Sequence, residues 1–146
     1  MKHLLVFTAI ALIVGSCDIK PFSKIENNNE LIHELLFKQR DNWNKGDLDG
    51  FMGYYWKNDS LCFLGKNGMN CGWENIYSNY KKSYSSKEQM GHLEFEILKS
   101  EPLTNQSHFL VGSWKVMRVT DTIGGSFNLI WKEINGEWKI VFDHTS

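Results

Sequence analysis

The sequence predicts an α+β fold in which helices come first and a long antiparallel sheet follows. Apolar residues recur at helical spacing in the N-terminal half, whereas from residue 90 onward they alternate with polar residues. The dipeptide Asn135-Gly136 joins two alternating segments, which is typical of a two-residue β-hairpin. Helices gathered on one face of an antiparallel sheet define the α+β class.

The chain opens with a short cationic stretch, followed by the apolar run Leu4–Val14. This run is too short to span a bilayer, which takes about 20 residues, but it suits a secretory signal. Its last residue begins the sequence Val14-Gly15-Ser16-Cys17, which resembles the bacterial lipobox. We expect residues 1–16 to be a signal peptide, Cys17 to carry lipid, and residues 17–26 to be its linker. The protein would then sit at the bacterial cell envelope, on the periplasmic or outer-membrane face. The alternative is an ordinary cleaved signal with an incidental cysteine.

The helices are predicted from apolar stripes and from residues that favour helix ends. Asn27, followed by Glu30 three residues later, is typical of a helix N-cap, and Gly46 of a helix end. Asp47 can cap a second helix. The predicted helices span residues 28–45, 48–56 and 73–84, with a small hairpin of strands 60–64 and 69–71 before the third.

The remaining chain is predicted to form four strands: 90–100, 108–119, 125–134 and 138–145. A type I′ turn at Asn135-Gly136 would place Trp131 opposite Ile140 and Phe127 opposite His144. Because side chains alternate along a strand, His144 would then face the core and Asp143 would point away.

Composition narrows the classes of partner. No basic run forms a face, so nucleic-acid binding has no electrostatic support. The aromatic content of 14%, with six Trp, favours an aromatic-lined cavity, although a dense aromatic core is the alternative.

The cysteines and histidines do not predict a metal site. With Cys17 assigned to lipid, Cys62 and Cys71 remain and flank a turn. A bridge could form in an exported protein. Bridges between directly paired strands are uncommon, so we expect two buried free thiols. No Cys/His cluster has zinc-ligand spacing, and no cofactor is expected.

Several segments resemble the NTF2-like superfamily, and within it the SnoaL-like and DUF4440 groups. They are Trp-Asn-Lys-Gly-Asp-Leu-Asp-Gly-Phe at 43–51, Tyr-Trp-Lys-Asn-Asp-Ser at 55–60, Gly-Trp at 72–73, Gly-Glu-Trp-Lys-Ile-Val at 136–141 and Asp-His-Thr-Ser at 143–146. The resemblance implies one cone-shaped domain over residues 27–146, with about three N-terminal helices packed on a curved antiparallel sheet. It does not imply an activity, because this superfamily includes enzymes, ligand binders and assembly modules.

The ketosteroid isomerases of this superfamily place a general-base Asp near the end of the first strand after helix 2. Here that position falls on Leu64 or a neighbouring apolar residue. No carboxylate on the predicted inward faces is a candidate for the protonated partner that stabilises an enolate. The resemblance therefore disfavours steroid isomerisation.

The candidate site residues each have a structural alternative. The catalytic candidates are His144, Asp59 and Tyr55, although His144 could be a core histidine and Asp59 a cap. Arg118 could receive a ligand carboxylate or could be solvated. The expected ligand pocket comprises Trp56, Trp73, Tyr77, Trp114, Arg118, Phe127, Trp131 and His144.

Three functions remain open. The first is a membrane-tethered domain that binds a small apolar or aromatic ligand and forms a homodimer through its outer sheet face. The second is a SnoaL-like isomerase, dehydratase or hydrolase that uses His144 with Asp59 or Tyr55. The third is an envelope protein-interaction module, which a cone interior filled by Trp114 and Trp131 would favour.

Overall fold

The computed structural model of the protein describes residues 27–146. The predicted signal peptide, Cys17 and the linker lie outside the described residues. Between residues 27 and 146, no helix is long and apolar enough to cross a membrane.

The helical part agrees with the prediction, with changes at the helix ends. The helices are α1 (Asn29–Lys45), α2 (Leu48–Met52), α3 (Trp73–Ser83) and α4 (Lys87–Met90). Helix α1 buries Ile32, Leu36 and Trp43 and ends at Gly46, whose φ of 81° lies in the left-handed region that glycine tolerates. Its N-cap is Asn28 rather than Asn27. Helix α4 was not predicted from the sequence. It starts after Ser86, whose side chain accepts a hydrogen bond from the Gln89 N–H.

Helix α2 ends four residues earlier than predicted because the chain leaves it to pair with the sheet. The Asp47 side chain caps its start by accepting from the Gly50 N–H, as predicted. Beyond Gly53, Ile140 donates its N–H to the Tyr54 carbonyl and accepts from the Trp56 N–H. These two bonds place Tyr55 against the inner face of the sheet.

Six strands form one sheet with the order β2-β1-β6-β5-β4-β3. The strands are β1 (Cys62–Gly65), β2 (Gly68–Cys71), β3 (His92–Thr104), β4 (Ser107–Met117), β5 (Thr122–Ile134) and β6 (Glu137–Thr145). All neighbouring pairs are antiparallel except β1 and β6, which are parallel. The α+β class is confirmed, and the antiparallel description is corrected for that one pair.

The β5–β6 hairpin keeps its predicted register only near the turn. Asn135 and Gly136 have φ of 53° and 82°, as a type I′ turn requires. Trp131 pairs with Ile140 as predicted, but a β-bulge follows, and Ile130 pairs with Phe142. Val141 is the extra residue of the bulge.

The bulge reverses the predicted faces of Asp143 and His144. Past it, Phe127 pairs with Thr145 rather than with His144, and Leu129 pairs with Asp143. A shift of one residue moves each later side chain to the opposite face. The prediction that His144 faces the core is therefore wrong, and Asp143, which is 5% exposed, takes the inner face.

Cys62 and Cys71 form a disulfide, so the expectation of two free buried thiols is wrong. The two residues pair directly across β1 and β2, with their Cα atoms 4.1 Å apart. This is the close, non-hydrogen-bonded type of cross-strand pair, which brings side chains together. Cys71 is exposed and Cys62 half-buried.

Candidate functional site

A cavity of about 110 Å³ lies between the helices and the inner face of the sheet. For comparison, an apolar cavity of about 150 Å³ accommodates benzene. The space therefore suits one ring-sized group rather than a large ligand. The lining residues are Leu36, Gln39, Trp43, Phe51, Tyr55, Tyr80, Tyr84, Leu93, Phe95, Trp114, Val116, Phe127, Leu129, Asp143 and Thr145.

Packed aromatic rings form most of the helical wall. The Trp43 ring centroid lies 5.0 Å from that of Phe51 and 4.7 Å from that of Tyr84, both in edge-to-face geometry. Tyr80 stacks on Phe51 at 6.0 Å. Edge-to-face and offset stacks stabilise a fixed ring arrangement, so this wall keeps its shape without a ligand.

The sheet wall has a similar aromatic pair. Phe95 and Phe127 lie 5.2 Å apart by ring centroids. Phe127 covers Gly112 on the adjacent strand, where a Cβ atom would come within 2.5 Å of the Phe127 ring. Glycine at this position therefore lets the Phe127 ring lie flat against the sheet.

One polar cluster interrupts the apolar lining. The Tyr55 hydroxyl donates to Asp143 Oδ2 at 2.8 Å, and the Thr145 hydroxyl donates to Asp143 Oδ1 at 2.7 Å. Tyr55 and Asp143 are each 5% exposed. The β6 bulge turns Asp143 inward, and the Tyr54–Ile140 pairing holds Tyr55 opposite it.

Burial favours the neutral forms of this cluster. It raises the pKa of Asp143, although the hydrogen bonds from Thr145 and Tyr55 oppose the shift. It also raises the pKa of Tyr55 well above its ordinary value, and the charge of Asp143 adds to that shift. The pKa of Tyr80 is also raised well above its ordinary value, by burial first and then by the charge of Asp143.

With Asp143 neutral, Tyr55, Asp143 and Thr145 have three O–H protons but share only two mutual hydrogen bonds. One donor of this cluster therefore remains for a further group. The ionised form would have no spare donor, because both remaining hydroxyls point at the carboxylate. The protonation state thus decides whether the pair receives a hydrogen-bond acceptor or a donor.

The partly exposed residues of the lining mark the cavity mouth. They are Tyr80, Tyr84, Phe95, Trp114 and Thr145. The indole Nε1 of Trp114 is buried and has no hydrogen-bond partner within residues 27–146. Access to the cavity is therefore through an aromatic rim.

The structure brings three of the predicted site residues to this cavity. Trp114 and Phe127, predicted as pocket residues, and Tyr55, a catalytic candidate, belong to its lining. Whether they contact a ligand stays a prediction.

Two of the catalytic candidates lie elsewhere. His144 is on the outer face, where its Nδ1 lies 3.3 Å from Asn128 Nδ2. Asp59 is exposed in the turn before β1. Neither contributes to the cavity lining.

The other predicted pocket residues also lie outside the lining, for local reasons. Trp131 is fully buried nearer the hairpin turn, and Trp56 follows the segment that pairs with β6. Trp73 stacks on Tyr77 at 4.7 Å along α3. Arg118 pairs with Asp121, with Nε 2.6 Å from Oδ1.

On strand β1, Phe63 faces the inside of the cone and Leu64 does not. Phe63 pairs with Asp143, and its ring lies 4.7 Å from that of Tyr55. Leu64 pairs with His144 on the other face. The expectation that no inward-facing carboxyl is a candidate for the protonated partner is wrong, because Asp143 faces inward and burial raises its pKa.

Sequence reasoning also missed the helical part of the lining. Gln39 is a polar residue inside the apolar stripe of α1, and it is 1% exposed. A polar residue at a core position was the available signal. For Asp143 the sequence held no such signal, because nothing in it marks the bulge.

Residues 27–146 contain no group of three or more His, Cys, Asp or Glu side chains placed to hold a metal ion. The described site is thus a largely apolar cavity with an aromatic rim and one buried carboxyl–phenol pair.

Such a cavity in a cone of helices on a curved sheet defines a class of small α+β proteins, and solved structures identify the family. An NTF-2 like protein of unknown function from Shewanella oneidensis is 37% identical, with a TM-score of 0.80 over 82% of this chain and 99% of that chain. The chain belongs to the NTF2-like superfamily.

More distant structures share the fold alone. An NTF2-like protein of unknown function from Pseudomonas putida is 11% identical, with a TM-score of 0.68 over 84% of this chain and 89% of that chain. A ketosteroid isomerase-like protein from Erwinia carotovora is 12% identical, with a TM-score of 0.65 over 83% of this chain and 96% of that chain. No protein-family model matches the sequence. No curated protein matches it either.

Proposed function

We propose that this domain binds one small, mostly apolar molecule of about one ring, which carries a hydrogen-bonding oxygen. The observation that supports the proposal is the buried Tyr55–Asp143 pair in a largely apolar, aromatic-rich cavity. Burying a polar group without a partner costs about 1–3 kcal/mol, so the spare donor of the neutral pair favours a ligand that accepts a hydrogen bond. A carbonyl or an ether oxygen on a ring meets that requirement.

The aromatic lining supplies affinity, and the polar pair supplies selectivity. Apolar contact contributes roughly 25 cal/mol per Å² of buried surface. A ring that fills the cavity but lacks the oxygen leaves the spare donor unpaired. Below the folded pKa of Asp143, where the carboxyl is neutral, we therefore expect a cyclic ketone to bind more tightly than a hydrocarbon of the same shape.

Native mass spectrometry and thermal-shift titration with such matched pairs test the proposal. The expected result is a larger stabilisation by the ketone, which Asp143→Leu removes while the hydrocarbon still binds. Tyr77→Phe is a suitable control, because that residue lies on α3 outside the lining. Equal binding of ketone and hydrocarbon would contradict the role given to the pair.

A small-molecule enzyme of the isomerase, dehydratase or hydrolase type is the second candidate. It is favoured by the raised pKa of Asp143, because catalytic acids and bases often sit in such environments. His144 and Asp59 are not available to it, since neither lines the cavity. Turnover of the bound compound that Asp143→Asn abolishes, without loss of binding, would favour this candidate.

We further propose that the domain is a lipoprotein of the bacterial cell envelope, anchored through Cys17. The support is the apolar run that is followed by Gly15-Ser16-Cys17. Mass spectrometry of the N-terminal peptide should show an acylated Cys17. A Cys17→Ser variant should leave the membrane fraction, and an unmodified wild-type cysteine would contradict the proposal.

A homodimer through the outer face of the sheet is also proposed. That face carries half-buried apolar side chains, among them Val111 and Ile130, on strands whose opposite side packs on the helices. Light scattering of the mature chain tests it: a dimeric mass is expected, and Ile130→Lys should shift it to the monomer. A monomeric wild type at high concentration would support an interaction module with another partner instead.

A further inference from the structure

In the described domain, the start of α1 and the cavity mouth lie at opposite ends of the sheet. At one end, the turns between β3 and β4 and between β5 and β6 meet the start of α1. Asn28 Nδ2 donates to the Asn105 carbonyl at 3.5 Å, and the Glu133 N–H donates to the Gln106 carbonyl at 3.0 Å. We call this the turn end. The chain that precedes residue 27 joins the domain here.

The cavity mouth lies at the opposite end. Phe95 and Trp114 pair with each other near the start of β3 and the end of β4, and Thr145 is the last residue of β6. Trp114 is seven residues along β4 from Ser107, which at about 3.3 Å per residue puts it roughly 23 Å from the turn end.

The segment between the proposed lipid and the domain is short. Nine residues, 18–26, lie between Cys17 and Asn27, which makes ten residue steps. A random coil of ten steps has a root-mean-square span of about 17 Å, and a fully extended chain of that length reaches roughly 33 Å. A bilayer-bound Cys17 therefore favours the turn end over the mouth next to the lipid, because the opposite orientation would stretch the segment to roughly 23 Å or more, beyond its root-mean-square span.

Part of the surface at the turn end suits contact with lipid headgroups. Residues 102–107 (Pro-Leu-Thr-Asn-Gln-Ser) carry no charge, and Leu103 is 46% exposed. Charged side chains are exposed at both ends: Glu30 and Glu137 at the turn end, and Lys87, Glu88 and Asp121 at the mouth end. Bringing a charge against the interface requires its desolvation, so the contact falls on the uncharged β3–β4 turn.

We infer that the turn end lies against the bilayer and that the cavity mouth opens away from it, so that the ligand enters from the aqueous phase rather than from the lipid. This inference rests on the proposed anchor at Cys17. It narrows the ligand class to compounds that dissolve in water, since a bilayer-resident molecule would have no direct path to the mouth.

Two single-cysteine labels test the orientation. Gln106→Cys places a thiol at the turn end, and Val119→Cys places one beyond β4 at the mouth end; both positions are exposed. Cys62 and Cys71 form a disulfide, and an acylated Cys17 has no free thiol, so the introduced cysteine alone reacts. Each full-length variant, labelled with one fluorophore, is reconstituted into phosphatidylethanolamine–phosphatidylglycerol vesicles that carry a quencher on the headgroups.

The label at Gln106→Cys should be quenched at least about twofold more than the label at Val119→Cys, because the sites lie at opposite ends of a strand of roughly 36 Å. Equal quenching, or stronger quenching at residue 119, overturns the orientation. The wild type treated with the same label reports on the anchor: labelling of Cys17 together with a missing acyl mass overturns the anchor and the orientation with it. An acylated Cys17 with equal quenching overturns only the orientation.

Discussion

Removing the Tyr55 hydroxyl should destabilise the protein by an amount that depends on pH. Tyr55 and Asp143 are both 5% exposed, and their hydrogen bond is 2.8 Å long. In Tyr55→Phe the carboxyl keeps only the bond from Thr145. A hydrogen bond to a neutral partner contributes about 0.5–1.5 kcal/mol, and one to a charged partner about 1.5–3 kcal/mol.

The sign of the pH dependence follows from the direction of the Asp143 pKa shift. Burial raises this pKa in the folded protein, so the folded state binds the proton more tightly than the unfolded state. The wild type therefore loses stability as pH rises from about 3.8, the ordinary value, through the folded pKa. The Tyr55 hydroxyl opposes that shift, so Tyr55→Phe raises the folded pKa further. Each unit of that rise corresponds to about 1.4 kcal/mol lost once the carboxyl is ionised.

Urea unfolding of the mature chain at pH 4 and pH 8 measures the effect. We expect Tyr55→Phe to lower the free energy of unfolding by about 1 kcal/mol at pH 4, and by about 2–3 kcal/mol at pH 8. The matched control is Tyr77→Phe, whose hydroxyl donates to the Asp49 carboxylate at the surface. An exposed interaction of that kind contributes about 1 kcal/mol or less. A Tyr55→Phe penalty that is equal at the two pH values, or larger at pH 4, would refute this account of the pair.

Three further predictions concern packing, pH and capping. Gly112→Val should lower the free energy of unfolding by about 2 kcal/mol or more, because a Cβ atom there would lie 2.5 Å from Phe127 Cζ and 2.6 Å from the Glu96 carbonyl; an unchanged urea midpoint would contradict it. His108 is fully buried, and burial lowers its pKa from 6.5. The wild type should therefore lose stability as pH falls below about 6.5, and His108→Gln should lose less stability over the same range. Equal pH slopes of the two proteins in urea melts from pH 7.5 to pH 5 would contradict this. Asp47→Ala removes the α2 cap and should cost about 1 kcal/mol in thermal or urea melts, whereas Asp59→Ala, at an exposed turn, should cost less.

Features that depend on neighbouring residues were predictable. Gly46 ends α1 because glycine, having no Cβ atom, takes a left-handed conformation without strain. Asp47 caps α2 through its own side chain. Asn135 and Gly136 fix the hairpin turn in the same way. With the change of apolar period near residue 90, these signals were enough for the α+β class and the family resemblance.

The cavity could not be predicted in the same way, because its lining depends on strand register beyond the turn. Counting residues from Asn135 gives the correct partners as far as Trp131 and Ile140. The bulge that follows inserts one residue in β6, and no local signal marks it. That single insertion put Asp143 where His144 was expected.

The sequence by itself determined the order of the helices and strands, the turn of the last hairpin and the aromatic character of the interior, because each follows from a residue and its near neighbours. Only the tertiary structure decided which side chains meet inside. Strand β6 pairs with β5 on one side and with β1 and the Tyr54–Trp56 segment on the other. Strand β6 hydrogen-bonds to both neighbours at once. Its bulge turns the Asp143 carboxyl toward the Tyr55 hydroxyl, 88 residues away in the sequence.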